Sequence, residues 1–110
     1  RNPNLLLWHG STWLIDHGAA FYRHHRDDGD PEAIAAAPFP LIREHVLLGR
    51  AGPIADAATR LAPLVDEALL RRLGALVPPE WADPEPYVRF LRARVAQAGT
   101  FAQEADDARE

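Results

Sequence analysis

The chain begins with two short apolar runs on either side of a turn signal. Residues 5–8 (LLLW) and 12–16 (TWLID) are rich in leucine, aromatic and β-branched side chains, and His9-Gly10-Ser11 between them supplies a glycine for a tight turn. This pattern predicts a β-hairpin. The apolar residues do not alternate with polar ones, so both faces of the hairpin require cover, which a two-stranded ribbon does not provide by itself.

Proline and capping signals mark where the helices of the remaining chain begin and end. Asp30 followed by Pro31 is a helix start signal, and it precedes a short helix predicted over the alanine run 33–37, which Pro38 and Pro40 end. The chain thus passes from the hairpin into helical structure at this point.

Two further apolar patterns have helical spacing. Residues 41–49 predict one amphipathic helix with a glycine near its end. The longer stripe over 53–77 predicts two helices, because Pro63 removes a backbone hydrogen bond and clashes with the preceding turn.

The C-terminal part predicts one more helix and a tail. Asp83-Pro84-Glu85 is a cap followed by a first turn, and Tyr87 and Phe90 lie on one face of the helix that it starts. Residues 99–110 are polar and acidic, and we expect them to be frayed. The fold class predicted is mainly α, with an N-terminal β-hairpin in residues 1–25 followed by four or five helices in residues 26–110.

Composition excludes several classes of protein. The formal net charge of −4 argues against a mainly electrostatic nucleic-acid binder, so we expect no direct binding to nucleic acid. Without cysteine, neither a disulfide nor a thiolate metal site can form. No apolar run approaches the roughly 18–20 residues that span a bilayer. We therefore expect a soluble, cytoplasmic protein with no membrane partner.

The hairpin brings together residues that suit a metal ion. Antiparallel pairing around the turn places Asp16 near the side chains of Asn2 and Asn4. A carboxylate and an amide oxygen are hard donors, which Mg²⁺ takes from proteins that bind it together with nucleotide phosphates. In protein kinases a catalytic-loop Asn and the Asp of the D-F-G motif hold the metal in this way.

The segments RNPNLLLWHG and WLIDHGAAFYRHH resemble the metal-binding half of the HipA-like kinase family. The resemblance is close over residues 1–25 and general over the helical remainder, which would correspond to the end of a kinase C-lobe. It implies that Asn2 is the metal-binding Asn and Asp16 the D-F-G-type Asp, with His17 in place of the Phe; Asn4 competes with Asn2. It also implies ATP as phosphoryl donor, Mg²⁺ as cofactor and Ser/Thr protein kinase activity, in some members as the toxin of a toxin–antitoxin pair.

The chain departs from the family pattern in what it lacks. The catalytic Asp of a kinase precedes the metal-binding Asn by five positions, which would place it before residue 1 if Asn2 has that role. A glycine-rich phosphate loop is missing, and the sequence contains no lysine to hold the nucleotide. We therefore expect the C-terminal piece of a kinase, inactive alone, whose partner is the N-terminal lobe or another chain.

Other interpretations of the same residues stay open. Asp16 could cap the turn at residues 18–20 while an Asn stabilises a loop. A zinc site using Asp16 with the nearby histidines is disfavoured, because adjacent residues such as His24 and His25 point apart and the spacing matches no zinc motif. The segment Ile15-Asp16-His17-Gly18 is also similar to the I-D-N-G segment of type II phosphatidylinositol kinases. The alternative without chemistry is a helical protein-interaction module whose apolar hairpin docks on a partner.

Three expectations concern packing and the protein surface. Trp8 and Trp13 should pack across the strands as core residues. The arginines of the later helices should form a solvated face that pairs with Glu67 and Glu85. The surplus of apolar residues is expected to mark a surface that the absent lobe covers.

Overall fold

A computed structural model describes residues 4–21 and 29–110, and it contains the predicted hairpin. Strand β1 (Leu5–Trp8) pairs antiparallel with β2 (Ser11–Leu14), with Leu5 opposite Leu14. His9 and Gly10 between them have φ values of 49° and 75°. Two successive residues with positive φ form the hairpin turn whose twist matches that of paired strands.

Five α-helices follow within the described residues, which confirms the mainly α class. They are α1 (Pro31–Ala36), α2 (Ile54–Leu61), α3 (Glu67–Gly74), α4 (Glu85–Ala96) and α5 (Ala98–Arg109). In these same ranges, none of the helices combines the length and the apolar character that a bilayer crossing requires.

The predicted break in the stripe over 53–77 is confirmed. Helix α2 ends before a short 3-10 turn at Ala62–Leu64, which contains Pro63. Asp66 then starts α3, and its Oδ1 accepts a hydrogen bond from the Leu69 N–H at 2.8 Å. The start signal for α4 also holds, since Asp83 accepts a hydrogen bond from the Glu85 N–H.

The prediction of one amphipathic helix over 41–49 was wrong. Two 3-10 turns stand there, at Pro40–Glu44 and Leu48–Arg50, and His45 between them has an extended backbone with ψ of 125°. The reason lies outside the segment, because the Phe39 N–H donates to both carboxylate oxygens of Glu104 in α5. This contact fixes the entry of the segment, and short 3-10 turns satisfy its backbone locally.

The prediction of a frayed tail over 99–110 was also wrong, because α5 occupies nearly all of it. Three alanines at helical spacing, Ala98, Ala102 and Ala105, are buried on one face. Acids on the other positions bind other segments, notably Asp106, which accepts hydrogen bonds from the first N–H groups of α2. Burial and capping together hold the tail as a helix.

The arginine pairing was predicted correctly for α3 and its neighbour. Arg71 and Arg92 both donate to Glu67, at 2.8 Å each, and Arg71 also lies 3.6 Å from Glu85. Hydrogen bonds from Arg92 and Arg71 lower the pKa of Glu67 from its usual value to about 2. These side chains are half-exposed, so each pair stabilises the fold only modestly.

Arg89 and Arg94 have partners that the sequence did not indicate. Arg89 donates to Glu32 at 2.7 Å and to Asp30 at 3.2 Å, which joins α4 to the start of α1. Arg94 donates to the carbonyl oxygen of Ala35 in α1. The basic residues therefore act as links between helices rather than as an open cationic face.

The core is thin. Among the described residues, four of the seven buried apolar residues are alanines, and large side chains are not fully buried; the seven are Ala35, Leu48, Leu70, Val88, Ala98, Ala102 and Ala105. The radius of gyration is 15.2 Å, against about 13 Å for a compact chain of this length. The molecule is more extended than a typical domain.

The hairpin remains largely exposed. Trp8 and Trp13 pack edge to face across the strands, with ring centroids 6.2 Å apart, as predicted. Their placement in the core was wrong, because they are 56% and 51% exposed. Neither strand packs extensively against a helix within the described residues, so the apolar faces of the ribbon lack cover there.

Candidate functional site

The open end of the hairpin brings Asn4 and Asp16 together. Beyond the last strand pair, the Ile15 N–H donates to the carbonyl oxygen of Asn4 at 3.0 Å. The Asn4 side-chain amide then donates to the backbone carbonyl oxygen of Asp16 at 2.9 Å. The turn at His9-Gly10 sets this register, and the register sets which residues meet at the other end.

Asn4 and Asp16 share an unusual backbone conformation. Their φ values are 50° and 55°, in the left-handed region. Asn and Asp tolerate this region better than other non-glycine residues, but it still costs conformational energy. Such residues concentrate at functional sites, where the surrounding structure holds them in place. Here the hydrogen bond from the Asn4 amide is one of the contacts that hold Asp16.

The Asp16 side chain faces solvent. Within residues 4–21 and 29–110 its carboxylate makes neither a hydrogen bond nor an ion pair, and the residue is exposed. The turn that follows closes through the main chain, where the Ala20 N–H donates to the carbonyl oxygen of His17 at 2.9 Å. Capping of residues 18–20 by Asp16 is thus not seen in the described residues. The carboxylate oxygens are accessible to a cation.

Asn2, the other expected ligand, lies outside the described residues, as do His24 and His25. In the part of the chain that the structure covers, His, Asp and Glu do not gather in groups of three that could hold a metal. A cation at Asp16 would therefore need oxygen ligands from elsewhere. Mg²⁺ suits such a site, since it commonly takes one or two protein oxygens and completes its shell with phosphates and water.

Phe21 connects the site to the helices. Its ring lies edge to face on Tyr87 and on Phe90 of α4, with centroid distances of 5.2 Å and 5.8 Å. Sequence reasoning placed Tyr87 and Phe90 on one helix face but did not assign them a partner. The signal that could have found Phe21 is its position, five residues after Asp16 and just beyond the turn at 17–20.

A separate groove of about 700 Å³ lies between α5 and the segment after α1, and neither Asn4 nor Asp16 lines it. Three of its charged groups, Arg94, Glu104 and Asp107, have partners within the described residues. The Arg94 guanidinium stacks over the Phe101 ring at 4.4 Å, and Glu104 accepts the hydrogen bonds from Phe39. These contacts join α5 to α4 and to the segment after α1.

Comparisons of the chain with protein-family models, with curated proteins and with solved structures found no match.

Proposed function

We propose that the chain is the C-terminal part of a HipA-like Ser/Thr kinase that transfers phosphate from ATP, with Asp16 as a ligand of Mg²⁺. The observation that carries the proposal is the exposed Asp16 carboxylate, held in a left-handed backbone at the end of the hairpin where Asn4 meets it. The sequence around it, RNPNLLLWHG and WLIDHGAA, supplies the family context.

Asn2 and Asn4 have different roles in this proposal. The side-chain amide of Asn4 holds the Asp16 backbone, so Asn4 positions the acid. Asn2 is then the amide that shares the ion with Asp16. Asp16 and Asn2 would hold the Mg²⁺, which would supply positive charge to the phosphoryl transfer. Both oxygen donors are of the hard type that Mg²⁺ prefers.

The remaining parts of the active site come from outside these 110 residues. The catalytic Asp and the groups that hold ATP belong to an N-terminal lobe or a partner chain, which would also cover the exposed hairpin. The phosphoacceptor is a protein, and the enzyme acts in the cytoplasm, as the toxin of a toxin–antitoxin pair in one version of the proposal. Alone, the chain transfers no phosphate, because this chemistry depends on positioning by several groups at once.

Phosphoryl transfer from ATP tests the proposal. The chain is combined with the upstream kinase segment, in one polypeptide or in trans, and Mg²⁺-dependent autophosphorylation is measured. We expect Asp16→Asn to lower the rate more than about 100-fold, since the lost charge weakens the metal site. The control is Asp56→Asn in α2, which removes an exposed carboxylate elsewhere and should leave the rate unchanged. Undiminished activity of Asp16→Asn would contradict the proposal.

The coding sequence before Arg1 gives a simpler test. An in-frame stretch that reads D-R-x-x-R-N-P-N would place the catalytic Asp five positions before Asn2, as the family pattern requires. An unrelated sequence in that position would contradict the kinase assignment.

Two other functions would give different results with the Asp16→Asn variant or with a different phosphate acceptor. A site like that of type II phosphatidylinositol kinases would transfer phosphate to phosphatidylinositol vesicles rather than to protein, with the same dependence on Asp16. A non-catalytic interaction module is favoured by the exposure of the hairpin, where Leu7 and Leu14 are 74% and 72% exposed. Partner binding by such a module would be insensitive to Asp16→Asn and lost in Leu7→Thr.

A further inference from the structure

The chain between Asp16 and Phe21 forms one compact turn. Its closing bond joins the Ala20 N–H to the carbonyl oxygen of His17. Phe21 follows directly, and its ring rests on Tyr87 and Phe90. Only residues 17–20 therefore separate Asp16 from the anchored ring of Phe21 along the chain.

The surface under Phe21 is fixed from two sides. Tyr87 and Phe90 are three residues apart and thus neighbours on the same face of α4. Arg89 ties α4 to α1 through its 2.7 Å contact with Glu32. Arg92 ties the same helix to α3 through Glu67. Helix α4 also packs against α1 and α3, so the aromatic contact rests on a helix that has neighbours on two sides.

The rest of the hairpin offers little competing support. Within the described residues the strands pack extensively only on each other, and Ile15 and Asp16 are exposed. Within the described residues, the segment that ends at Phe21 is thus the main link between Asp16 and the helices.

We propose that Phe21 is a positioning residue, whose ring on Tyr87 and Phe90 sets where the Asp16 carboxylate stands and thereby the affinity of the site for Mg²⁺. The proposal rests on the kinase function above. Phe21 acts through the backbone of residues 17–20 and does not touch the ion. The aromatic contact also makes α4 a route by which the helical part influences the metal site.

The first experiment measures backbone motion and needs no metal. Phe21→Leu is compared with the wild-type chain by ¹⁵N relaxation, and we expect the order parameters of residues 16–20 to fall from a rigid value of about 0.85 to below about 0.6. The matched control is Phe101→Leu, which removes a ring from the same helical part, far along the chain in α5. It should leave residues 16–20 rigid. Unchanged order parameters in Phe21→Leu would overturn the proposal and leave the kinase function standing.

The second experiment measures the Mg²⁺ requirement of phosphoryl transfer in the complete enzyme. Phe21→Leu should raise the Mg²⁺ concentration for half-maximal rate by about 10-fold, as for loss of a group that orients a metal ligand. Phe101→Leu should leave that concentration unchanged, although both variants lose packing. An active enzyme in which Phe21→Leu and Phe101→Leu have the same Mg²⁺ requirement would overturn the proposal.

Changes at Tyr87 separate the ring from the hydroxyl. Tyr87→Phe keeps the ring contact and should preserve both the order parameters and the Mg²⁺ requirement, whereas Tyr87→Leu should reproduce the effect of Phe21→Leu. If Tyr87→Phe changed both quantities and Tyr87→Leu left them unchanged, the aromatic contact would not be the cause, and the proposal would be overturned. If the complete enzyme transfers no phosphate at all, the kinase function fails, and the order parameters of residues 16–20 still decide whether Phe21 positions Asp16.

Discussion

At the scale of single residues, Asn4 makes two hydrogen bonds to the backbone of the opposite strand end. Its carbonyl oxygen accepts the Ile15 N–H, and its side-chain amide donates to the Asp16 carbonyl oxygen. Its own φ of 50° suits Asn better than most residues. One residue thus ends the strand pairing and fixes the acid beside it.

Substitution of Asn4 separates these contributions. Asn4→Gly keeps the left-handed backbone and loses the amide, whereas Asn4→Ala loses both. We expect amide exchange of Ile15 to speed up in both variants, and more in Asn4→Ala because alanine disfavours positive φ. Exchange at Leu7, near the turn, serves as the internal control. Equal exchange of Ile15 in wild type and Asn4→Ala would show that Asn4 does not hold this end.

At the scale of elements, helices α3 and α4 approach closely at a glycine. A Cβ on Gly74 would lie 3.1 Å from a methyl group of Val88 and 3.6 Å from Pro84. Val88 is buried and β-branched, so its side chain has little freedom to move. At this spacing a side chain at position 74 fits only if Val88 shifts by a few tenths of an ångström.

Gly74→Ala should therefore destabilise the protein by about 1 kcal/mol, although alanine is the better helix former, because overpacking outweighs the gain in propensity. Thermal unfolding of the variant measures this. Gly99→Ala in α5 is the matched control, since its Cβ would meet open space, and it should be neutral or stabilising. If the Gly74→Ala variant unfolded at a higher temperature than the wild type, the close contact with Val88 would be relieved without loss of stability, and the overpacking argument would be wrong.

Asp106 links two elements and makes this contact pH-dependent. Its two carboxylate oxygens accept hydrogen bonds from the Ile54 and Ala55 N–H groups at 2.9 Å each. These bonds lower the pKa of Asp106, so its contribution is present above the unfolded pKa and is lost as the pH falls through the folded pKa.

We expect Asp106→Asn to lower the melting temperature at pH 7 by about 4 °C, because one amide oxygen replaces two charged acceptors at the start of α2. The difference from wild type should shrink as the pH falls below about 4. Asp107→Asn is the control, since that carboxylate bonds only Gln103 in its own helix among the described residues. A difference that stays constant from pH 7 to pH 3 would contradict the assignment.

The elements show which parts of the fold local sequence determines. The hairpin follows from its turn residues, the start of α1 from Pro31 in its first turn, and the start of α4 from the Asp83 cap; all of these act over a few positions. The segment 41–49 was mispredicted because its conformation depends on a bond to Glu104, some 65 positions away from Phe39. Helix α5 was missed because its buried face consists of alanines, and an alanine pattern does not indicate burial until the neighbouring helices are known. The contact of Phe21 with α4 is long-range in the same sense.

At the scale of the whole molecule, the apolar surface is distributed unusually. Leu7 and Leu14 lie on the same hairpin face. Leu7 pairs with Thr12, and Leu14 is two residues after Thr12 in the same strand, so the side chains of Thr12 and Leu14 point to the same side. Both are highly exposed. An apolar ribbon with open edges favours association in water.

We predict that the isolated chain self-associates with rising concentration and that Leu7→Thr/Leu14→Thr reduces this association, while threonine preserves the strands. Sedimentation velocity measures the effect. Leu76→Thr is the control, since Leu76 is 76% exposed in the helical part. If Leu76→Thr reduced association and the hairpin variant did not, the surface that mediates self-association would lie in the helical part rather than on the hairpin.

The most direct test of the account asks where a divalent ion binds. Mn²⁺ and ATP are added to the complete enzyme in which this chain is ¹⁵N-labelled, and paramagnetic broadening of each amide signal of the chain is recorded. We predict that Asn4 and residues 15–18 broaden first and that Asp16→Asn abolishes this broadening. Broadening that is the same in Asp16→Asn, or that is confined to the acids of α5, would contradict a metal site at Asp16.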